Sequence, residues 1–382
     1  MAGSQFGKIF HISTFGESHG KALGVVVDGC PAGLSLSEED IQEMLERRRP
    51  GKNLKMTQRK EGDKVEILSG IFEGKTTGTS IAMVVWNEDQ RSKDYGEIAH
   101  AFRPGHADYG FFAKYGFRDY RGGGRSSGRE TIARVAAGAI AKKMLLELGV
   151  SVRAKVIELA GISLTEDRQK AELLAEQKIL SLREQGDSAG GVVECLVKGL
   201  PAGIGEPVFD KLDASLAKAV MSIGAVKSVE IGDGIEVSKS LGSENNDAFF
   251  LMEEKDYESE EKERDAAGKE SCPHSLVEGT TSFEGKVKKG SNHSGGILGG
   301  MSDGSTIRIR AGFKPTPSIS KPQQTVNEAG EEITIAIKGR HDPTVVERAN
   351  VVVEAMTALT VLDAMLENLS ARLDYVKRAY RR

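Results

Sequence analysis

The fold of this chain depends most on one stretch, GRSSGRETIARVAAGAIAKKMLLELG, which runs from Gly124 to Gly149. From Glu130 to Leu148 its apolar residues recur at helical spacing, and Gly149 is a typical helix stop. Many of them are alanines, which allow a helix to pack closely against its neighbours. Two arginines and two serines precede the helix, where free backbone amides favour anions. The stretch therefore predicts a tightly packed core helix with an anion site at its beginning.

The segments around this helix predict a mixture of strands and helices. Short β-branched runs predict buried strands at residues 23–28, 80–86, 191–197 and 306–310. A capping box at Ser37 predicts a helix whose buried stripe ends at Arg48, where a cation needs a partner. Further helices are expected at 167–183, at about 212–220, and from Asp342 as N-cap, with Pro343 in the first turn, to about 369. This mixture favours a layered α/β or α+β body.

Composition excludes several classes of protein. The 382 residues include 52 Lys+Arg and 56 Asp+Glu, a net charge of −4, so no protein-wide basic field attracts nucleic acid or a membrane surface. We expect no membrane-spanning run of about 20 apolar residues and no signal peptide, hence a cytoplasmic protein. The cysteines Cys30, Cys195 and Cys272 have no paired spacing and are expected to be free thiols. The charged stretch from Glu253 to Lys269 predicts a surface loop, extending to about residue 275.

Arginines are concentrated in glycine-rich segments. Seven basic residues lie between Leu45 and Lys60, and a second group lies between Phe102 and Arg129. Guanidinium groups combined with exposed backbone amides suit phosphates and carboxylates, although any one of these arginines could equally be a solvated surface residue. Histidines His19 and His106 stand in glycine-flanked turns, where an imidazole could transfer a proton near neutral pH. No histidine or carboxylate spacing predicts a metal site.

Three long stretches resemble the chorismate synthase family. They are GESHGKALGVVVDGCP from Gly16, GRSSGRETIARVAAGA from Gly124 and GRHDPTVVERANVVVEAM from Gly339. Shorter similar segments are RPGHAD from Arg103, SNHSGGILGG from Ser291 and KPTPSI from Lys314. The resemblance implies conversion of 5-enolpyruvylshikimate 3-phosphate to chorismate by anti 1,4-elimination of phosphate. It implies reduced FMN as a cofactor without net oxidation, with NADPH as a possible reductant.

The resemblance also implies an architecture and a set of site residues. The fold would be α+β, a single domain over residues 1–382 in which helices pack between two antiparallel sheets as a β-α-β sandwich, assembled as a homotetramer. The catalytic residues would be His19, His106 and Asp342. The substrate-binding residues would be Ser18, Arg48, Arg103, Ser127, Arg129 and Arg340. The cofactor-binding residues would be Arg48, Arg125, Ser126, Ser127, Gly224, Ala225, Gly299, Lys314, Pro315, Thr316, Pro317, Ser318 and Arg340.

Two positions depart from the family pattern. Leu54 stands where members often have a second arginine associated with NADPH, and Gly224 stands where asparagine is common, which would remove one hydrogen bond to the flavin. Two other interpretations remain to be weighed. An RNA-binding protein is suggested by Arg121 to Arg125, but aromatic residues make up only 5% of the chain and show no stacking pattern. An inactive scaffold of the same fold is disfavoured by the retention of His19, His106 and Asp342.

Overall fold

The computed structural model describes residues 3–49, 62–87, 99–121, 123–251, 287–337 and 342–381. The helices within these ranges are α1 (Glu38–Arg48), α2 (Asp108–Tyr115), α3 (Thr131–Glu147), α4 (Arg168–Glu184), α5 (Leu212–Met221), α6 (Gly242–Asn245), α7 (Val346–Glu367) and α8 (Leu373–Tyr380). The strands are β1 (Gln5–Phe6), β2 (His11–Gly16), β3 (Ala22–Asp28), β4 (Val65–Ile67), β5 (Ile71–Phe72), β6 (Lys75–Thr76), β7 (Ile81–Trp86), β8 (Ser151–Leu159), β9 (Ile162–Ser163), β10 (Gly191–Lys198), β11 (Val226–Ile231), β12 (Phe249–Leu251), β13 (Val287–Lys289), β14 (Ile297–Leu298), β15 (Met301–Ser302), β16 (Ile307–Phe313), β17 (Gln323–Val326) and β18 (Glu332–Ile335).

Two five-stranded antiparallel sheets organise the described part of the chain. The first has the order β1-β2-β3-β7-β4, and the second has the order β11-β16-β10-β8-β9. In the first sheet Gly16 pairs with Leu23, so the segment containing His19 is the turn between two central strands. In the second sheet Phe313 ends β16, so the segment beginning at Lys314 leaves the sheet there. The chain is therefore an α+β protein, as the resemblance implied.

The helices connect the two sheets. Helix α3 packs against α7 and against β3 of the first sheet, while α7 packs against α3 and against β8 and β10 of the second. Helix α1 contacts both α3 and α7, and α5 contacts α7 and β11. The predicted small-residue face of α3 is used at its crossing with α7: a Cβ atom on Gly138 would lie 2.3 Å from the Cβ atom of Ala355. The beginning of α3 is held close to the first sheet by the same packing.

Helix α7 is apolar around its whole circumference because it lies in the core. Val346–Ser370 is long and apolar enough to cross a membrane, but 78% of its most apolar window is buried inside the protein. The expectation that no run approaches that length is therefore wrong for this helix. Its buried Glu354 accepts hydrogen bonds from Arg47 of α1, Lys142 of α3 and the Ala154 amide of β8. One carboxylate thus ties α7 to three neighbouring elements.

The predicted start of α7 is also wrong. The helix begins at Val346 with Val345 as its N-cap, so Asp342 does not cap it and Pro343 does not lie in its first turn. The carbonyl of Pro343 instead accepts a hydrogen bond from the amide of Ala189 at 2.9 Å. This bond connects the segment before α7 to the loop before β10. The side chain of Asp342 accepts a hydrogen bond from Arg348 of α7.

Other sequence predictions are confirmed. Ser37 and Asp40 form the capping box of α1, and Ile41, Met44, Leu45 and Arg48 are buried. Asp167 caps α4 by accepting a hydrogen bond from the amide of Lys170. Cys30 and Cys195 are free and buried. Burial raises the pKa of the Cys195 thiol to about 12, so this thiol is an unreactive packing group at neutral pH. Cys272 and the predicted 253–275 loop lie outside the described residues.

Candidate active site

The RPGH turn places a buried arginine and an imidazole side by side. Arg103 is 8% exposed and forms a two-pronged ion pair with Asp108 at the beginning of α2, with Nε–Oδ2 2.7 Å and Nη2–Oδ1 2.8 Å. Despite the cost of burying the carboxylate, hydrogen bonds and charge from Arg103 hold the pKa of Asp108 below its usual range. A Cβ atom on Gly123 would lie 3.8 Å from Nη2 of Arg103. The Arg103 guanidinium therefore borders the loop that precedes α3.

His106 connects this turn to the segment after β16. Its Nδ1 atom lies 3.0 Å from the carbonyl oxygen of Pro104 and its Nε2 atom lies 2.9 Å from the hydroxyl of Ser318. Lys314 donates from Nζ to the carbonyl of Gly105 at 2.7 Å. Burial and the nearby cations Arg103 and Lys314 lower the pKa of His106 to about 4, so the imidazole is neutral at pH 7.

A second cluster joins Arg48 to Arg129 through one carboxylate. Asp63 is 3% exposed and accepts from Nη1 of Arg48 and from Nη1 of Arg129, each at 3.0 Å. Arg48 is itself 2% exposed and also donates to the Thr131 hydroxyl and the Gly128 carbonyl, at 2.9 and 3.1 Å. The partner expected for the buried Arg48 is thus Asp63, together with the beginning of α3.

The His19 turn meets this cluster through Asn87. Asn87 follows β7; its side-chain nitrogen donates to the carbonyls of Gly20 and Glu17 at 2.7 and 3.2 Å, and its oxygen accepts from Nε of Arg129 at 2.8 Å. Ser18 lies in the same turn. Asp119 lies near His19: hydrogen bonds from Arg121 lower the pKa of Asp119, and the charge of His19 adds a smaller effect.

The serines and Arg125 of the loop before α3 hold that loop in place. Arg125 donates to the Gly16 carbonyl at 3.0 Å and to the Thr14 hydroxyl at 2.6 Å, which fixes the loop against β2. The Ser126 hydroxyl donates to the Gly123 carbonyl, and the Ser127 hydroxyl accepts from the Arg129 amide. Two short 3₁₀ turns, Gly124–Ser126 and Gly128–Glu130, lead into α3. The predicted anion site is therefore a compact loop whose own hydroxyls are hydrogen-bonded within it.

Asp342 contacts the first turn of α7. Its carboxylate accepts from Nη1 of Arg348 at 2.5 Å, while Nε of Arg348 donates to the Arg48 carbonyl at 3.2 Å. Arg348 thus connects the segment of Asp342 to the end of α1 and to the Asp63 cluster. Arg340, Leu54 and the rest of residues 338–341 and 50–61 lie outside the described residues.

Among the predicted cofactor residues, Gly224 and Ala225 lie near one end of α5 and Gly299 lies near the other. Ala225 accepts from the Lys314 amide at 2.9 Å, so Gly224 and Ala225 lie beside the 314–318 segment. Gly299 lies in the β14–β15 hairpin, whose Gly300 carbonyl binds the amide of Leu212 at the other end of α5. The ten residues of α5 span about 15 Å. Within one chain, therefore, Gly299 lies about the length of α5 away from Gly224 and Ala225.

Comparison with known proteins identifies the family of the chain. The chorismate synthase family profile matches residues 10–366. A chorismate synthase of Lachnoclostridium phytofermentans is 56% identical over 401 aligned residues, and one of Lachnospira eligens is 54% identical, each alignment covering 100% of both chains. A crystal structure of a chorismate synthase matches with a TM-score of 0.70 at 29% identity, covering 98% of this chain and 97% of that one.

The chain belongs to the chorismate synthase family. It is a carbon–oxygen lyase acting on a phosphate ester, and it catalyses the chorismate-forming step of the shikimate pathway, from which aromatic amino acids are made. The two clusters described above are its candidate active site. Within the described ranges, no group of three or more His, Cys, Asp or Glu side chains is arranged to hold a metal ion.

Four residues of this chorismate synthase site were not found from the sequence. Asp63, Asn87, Asp108 and Arg348 each bind a predicted site residue or its turn. Asp108 could have been found, because it follows Arg103 within one short turn and lies at a helix start. Asp63 and Asn87 are 15 and 42 residues from Arg48 and Arg129, and no local pattern marks them. Arg348 is six residues from Asp342, but the sequence was expected to be helical there from Asp342 onward, and nothing marked Arg348 as its partner.

Proposed function

We propose that the described clusters bind 5-enolpyruvylshikimate 3-phosphate beside reduced FMN and catalyse anti 1,4-elimination of phosphate to give chorismate. The observation that carries this proposal is the meeting of three distant segments: His106 contacts Ser318, Lys314 contacts Gly105, and Arg103 borders Gly123. Two ligands that together carry two carboxylates and two phosphates need several fixed cations at low dielectric. Arg103, Arg129 and Lys314 are positioned to supply them.

The 314–318 segment fits a phosphorylated flavin. Among the described residues, Thr316 has a buried hydroxyl oxygen without a hydrogen-bond partner, so this atom is free to bind a ligand. A Cβ atom on Gly224 would meet no described heavy atom within 4 Å. We therefore assign FMN binding to Lys314–Ser318 with Gly224, Ala225, Ser126, Ser127 and Arg125, and we keep Arg340 and Gly299 as proposed contributors.

The residues assigned to substrate binding differ in whether we expect them to contact the substrate directly. Arg129 and Arg103, with Ser18 and Ser127, are proposed to contact the substrate. The guanidinium of Arg48 is 2% exposed and all three of its nitrogens donate hydrogen bonds within the protein. Because the side chain has almost no exposed surface to offer a ligand, we propose that its charge acts mainly by fixing Asp63 and Arg129.

The proposed chemistry assigns each proton to a side chain. Reduced FMN, when bound, supplies electron density that assists the loss of phosphate without net oxidation. His19 is proposed to protonate the departing phosphate, and Arg129 to stabilise its growing charge. His106 is proposed as the proton donor to reduced flavin; an anion beside Lys314 would oppose the charges of Arg103 and Lys314 and so raise the pKa of its imidazole. Asp342, held by Arg348, is proposed as the carboxylate that acts in removal of the ring hydrogen.

The domain architecture, the oligomeric state, the localisation and the source of electrons are also proposed. The contacts of α3 with β3 and of α7 with β8 support a single-domain β-α-β sandwich with helices between the sheets. The family resemblance supports a cytoplasmic homotetramer and NADPH as a possible source of electrons. Anaerobic addition of NADPH alone to the FMN-loaded protein tests the latter, because flavin bleaching would show that the chain reduces its own cofactor.

The decisive experiment is reconstitution of the purified chain with chemically reduced FMN and the phosphorylated substrate without oxygen. We expect chorismate formation that stops when His106 is replaced by alanine, with substrate affinity changed far less than turnover. No turnover combined with salt-sensitive RNA binding would favour the RNA-binding interpretation instead. No turnover with normal binding of substrate and FMN would indicate an inactive scaffold.

A further inference from the structure

The side chain of Asn87 joins two parts of the candidate site that are otherwise carried by different elements. Its backbone amide donates to the Lys21 carbonyl at 3.0 Å and so continues the pairing of β3 with β7. That bond already anchors the residue to the sheet. The side chain instead leaves the sheet, with its nitrogen toward the turn of His19 and its oxygen toward Arg129 at the beginning of α3.

The chemistry of the partners fixes the orientation of this amide. The carbonyls of Glu17 and Gly20 can only accept hydrogen bonds, and they lie 3.2 and 2.7 Å from the side-chain nitrogen. The guanidinium of Arg129 can only donate, and its Nε lies 2.8 Å from the side-chain oxygen. No flipped arrangement of Asn87 satisfies all three partners. A carboxylate at this position could still accept from Arg129, but its other oxygen would face two carbonyl oxygens.

Arg129 is held on its other side by Asp63, which also binds Arg48. The Arg129 guanidinium therefore donates hydrogen bonds to both the Asp63 carboxylate and the Asn87 side-chain oxygen. The nitrogen of the same Asn87 amide binds the backbone on both sides of His19. A displacement of the His19 turn relative to Arg129 would require these bonds to break.

We propose that Asn87 is a positioning residue for the reaction: its side-chain amide sets the His19 imidazole at a fixed place relative to the Arg129 guanidinium. This inference rests on the roles proposed above for those two residues. The proton donor to the departing phosphate and the cation that stabilises it must act on the same group together, so one side chain that aligns both affects the chemical step. Misplacement by about 1 Å can cost about 100-fold in rate.

Asn87→Asp tests the inference because it keeps the size of the side chain and the acceptor for Arg129 but removes the donor to the turn. We expect kcat to fall about 10- to 100-fold. The dissociation constant for the substrate, measured by calorimetry without reduced flavin, is expected to change less than about threefold in Asn87→Ala, which adds no negative charge beside Arg129 and leaves that guanidinium bound to Asp63. Asn246→Asp, at an exposed position after α6, adds the same charge and is expected to keep full activity. The inference would be overturned if Asn87→Asp kept the wild-type kcat while His19→Ala lowered it.

A double-mutant cycle with His19→Ala separates positioning from general damage. If Asn87 acts through the His19 turn, Asn87→Asp should change kcat less than about twofold in the His19→Ala background. A further loss equal to that in the wild-type background would overturn the inference. Should Asn87→Asp fail to fold, as judged by its urea midpoint, the same cycle with Asn87→Ala carries the test. If His19→Ala itself keeps full activity, the proposed role of His19 is wrong, and Asn87 loses its role as positioner of that imidazole.

Discussion

The Nε2 atom of His106 lies 2.9 Å from the hydroxyl oxygen of Ser318, and the Nδ1 atom of the same ring lies 3.0 Å from the carbonyl oxygen of Pro104. A carbonyl oxygen only accepts hydrogen bonds, so Nδ1 must carry the proton of the neutral ring. Nε2 is then the acceptor for the Ser318 hydroxyl. The RPGH turn and the segment after β16 thus fix both the place and the tautomer of one imidazole.

We therefore predict that His106 of the protein alone is the neutral Nδ1–H tautomer at pH 7. Nitrogen NMR shifts of histidine-labelled protein distinguish this tautomer from the Nε2–H form, and the resonances lost in His106→Gln assign the residue. An Nε2–H tautomer, or a charged ring at pH 7, would contradict the geometry. Ser318→Ala should leave the Nδ1 proton in place, since its acceptor is the Pro104 carbonyl.

The lowered pKa of His106 predicts how stability depends on pH. The pKa is about 6.5 in an unfolded chain and about 4 in the folded protein, because burial and the charges of Arg103 and Lys314 disfavour the imidazolium. Between these values the unfolded chain binds more protons, so the free energy of unfolding falls as pH decreases from 6.5 to 4. The contribution of this residue is at most about 3 kcal/mol. It is fully present above pH 6.5.

Urea unfolding of wild type and His106→Gln at pH 4.5 and pH 7.5 measures this contribution. We expect the wild type to lose more stability between the two conditions than the variant does. Equal losses would show that His106 titrates normally in the folded protein.

The ion pair of Arg48 and Asp63 predicts that replacing Arg48, a residue assigned to substrate binding, also lowers the stability of the protein. Removing Arg48 leaves the buried Asp63 with one guanidinium instead of two, and loss of one partner of a buried pair costs about 3–5 kcal/mol. We expect Arg48→Ala to lower the urea midpoint strongly and to weaken substrate binding, because Asp63 would then draw Arg129 toward itself.

Replacing both members removes the uncompensated charge. Arg48→Met with Asp63→Asn should recover much of the lost stability, while substrate binding stays weak. Full stability of Arg48→Ala alone would show that the pair makes no net contribution.

The sequence predicted α1 and the burial of Arg48 but not the partner of that arginine. Local spacing is enough to place Arg48 on the buried stripe with Ile41 and Leu45, because the helix repeat is set within one element. Asp63 pairs with it through tertiary packing, and its position shows no periodic signal. The same holds for Asn87. In the sequence it is only a polar residue at the end of a strand, and its contacts with the His19 turn arise from tertiary packing.

Local rules also failed where tertiary contacts compete with them. Asp342-Pro343 is a strong helix-start signal, yet the Pro343 carbonyl binds the Ala189 amide and α7 begins only at Val346. The glycine-rich segment SNHSGGILGG, which resembles the family, also contains glycines that serve contacts within the protein. In the structure a Cβ atom on Gly295 would lie 2.2 Å from the backbone nitrogen of Gly232, so a contact within the protein already requires a glycine there.

The crossing of α3 and α7 provides the last prediction. A Cβ atom on Gly138 would lie 2.3 Å from the Cβ and 2.7 Å from the Cα atom of Ala355, closer than the two helix backbones allow. Gly138→Ala should therefore push the helices apart and destabilise the protein by about 1–3 kcal/mol or more, despite the better helix propensity of alanine.

Gly110→Ala is the matched control, since Gly110 lies in α2 and a Cβ atom there would meet no described heavy atom within 4 Å. Alanine at this exposed helical site should stabilise by up to about 1 kcal/mol. Thermal and urea unfolding of both variants measure the difference. Because α3 begins at the loop of Arg129, Gly138→Ala should also reduce kcat under conditions where the protein is still folded. Stability of Gly138→Ala equal to that of Gly110→Ala would mean that the two helices are not in contact at this point.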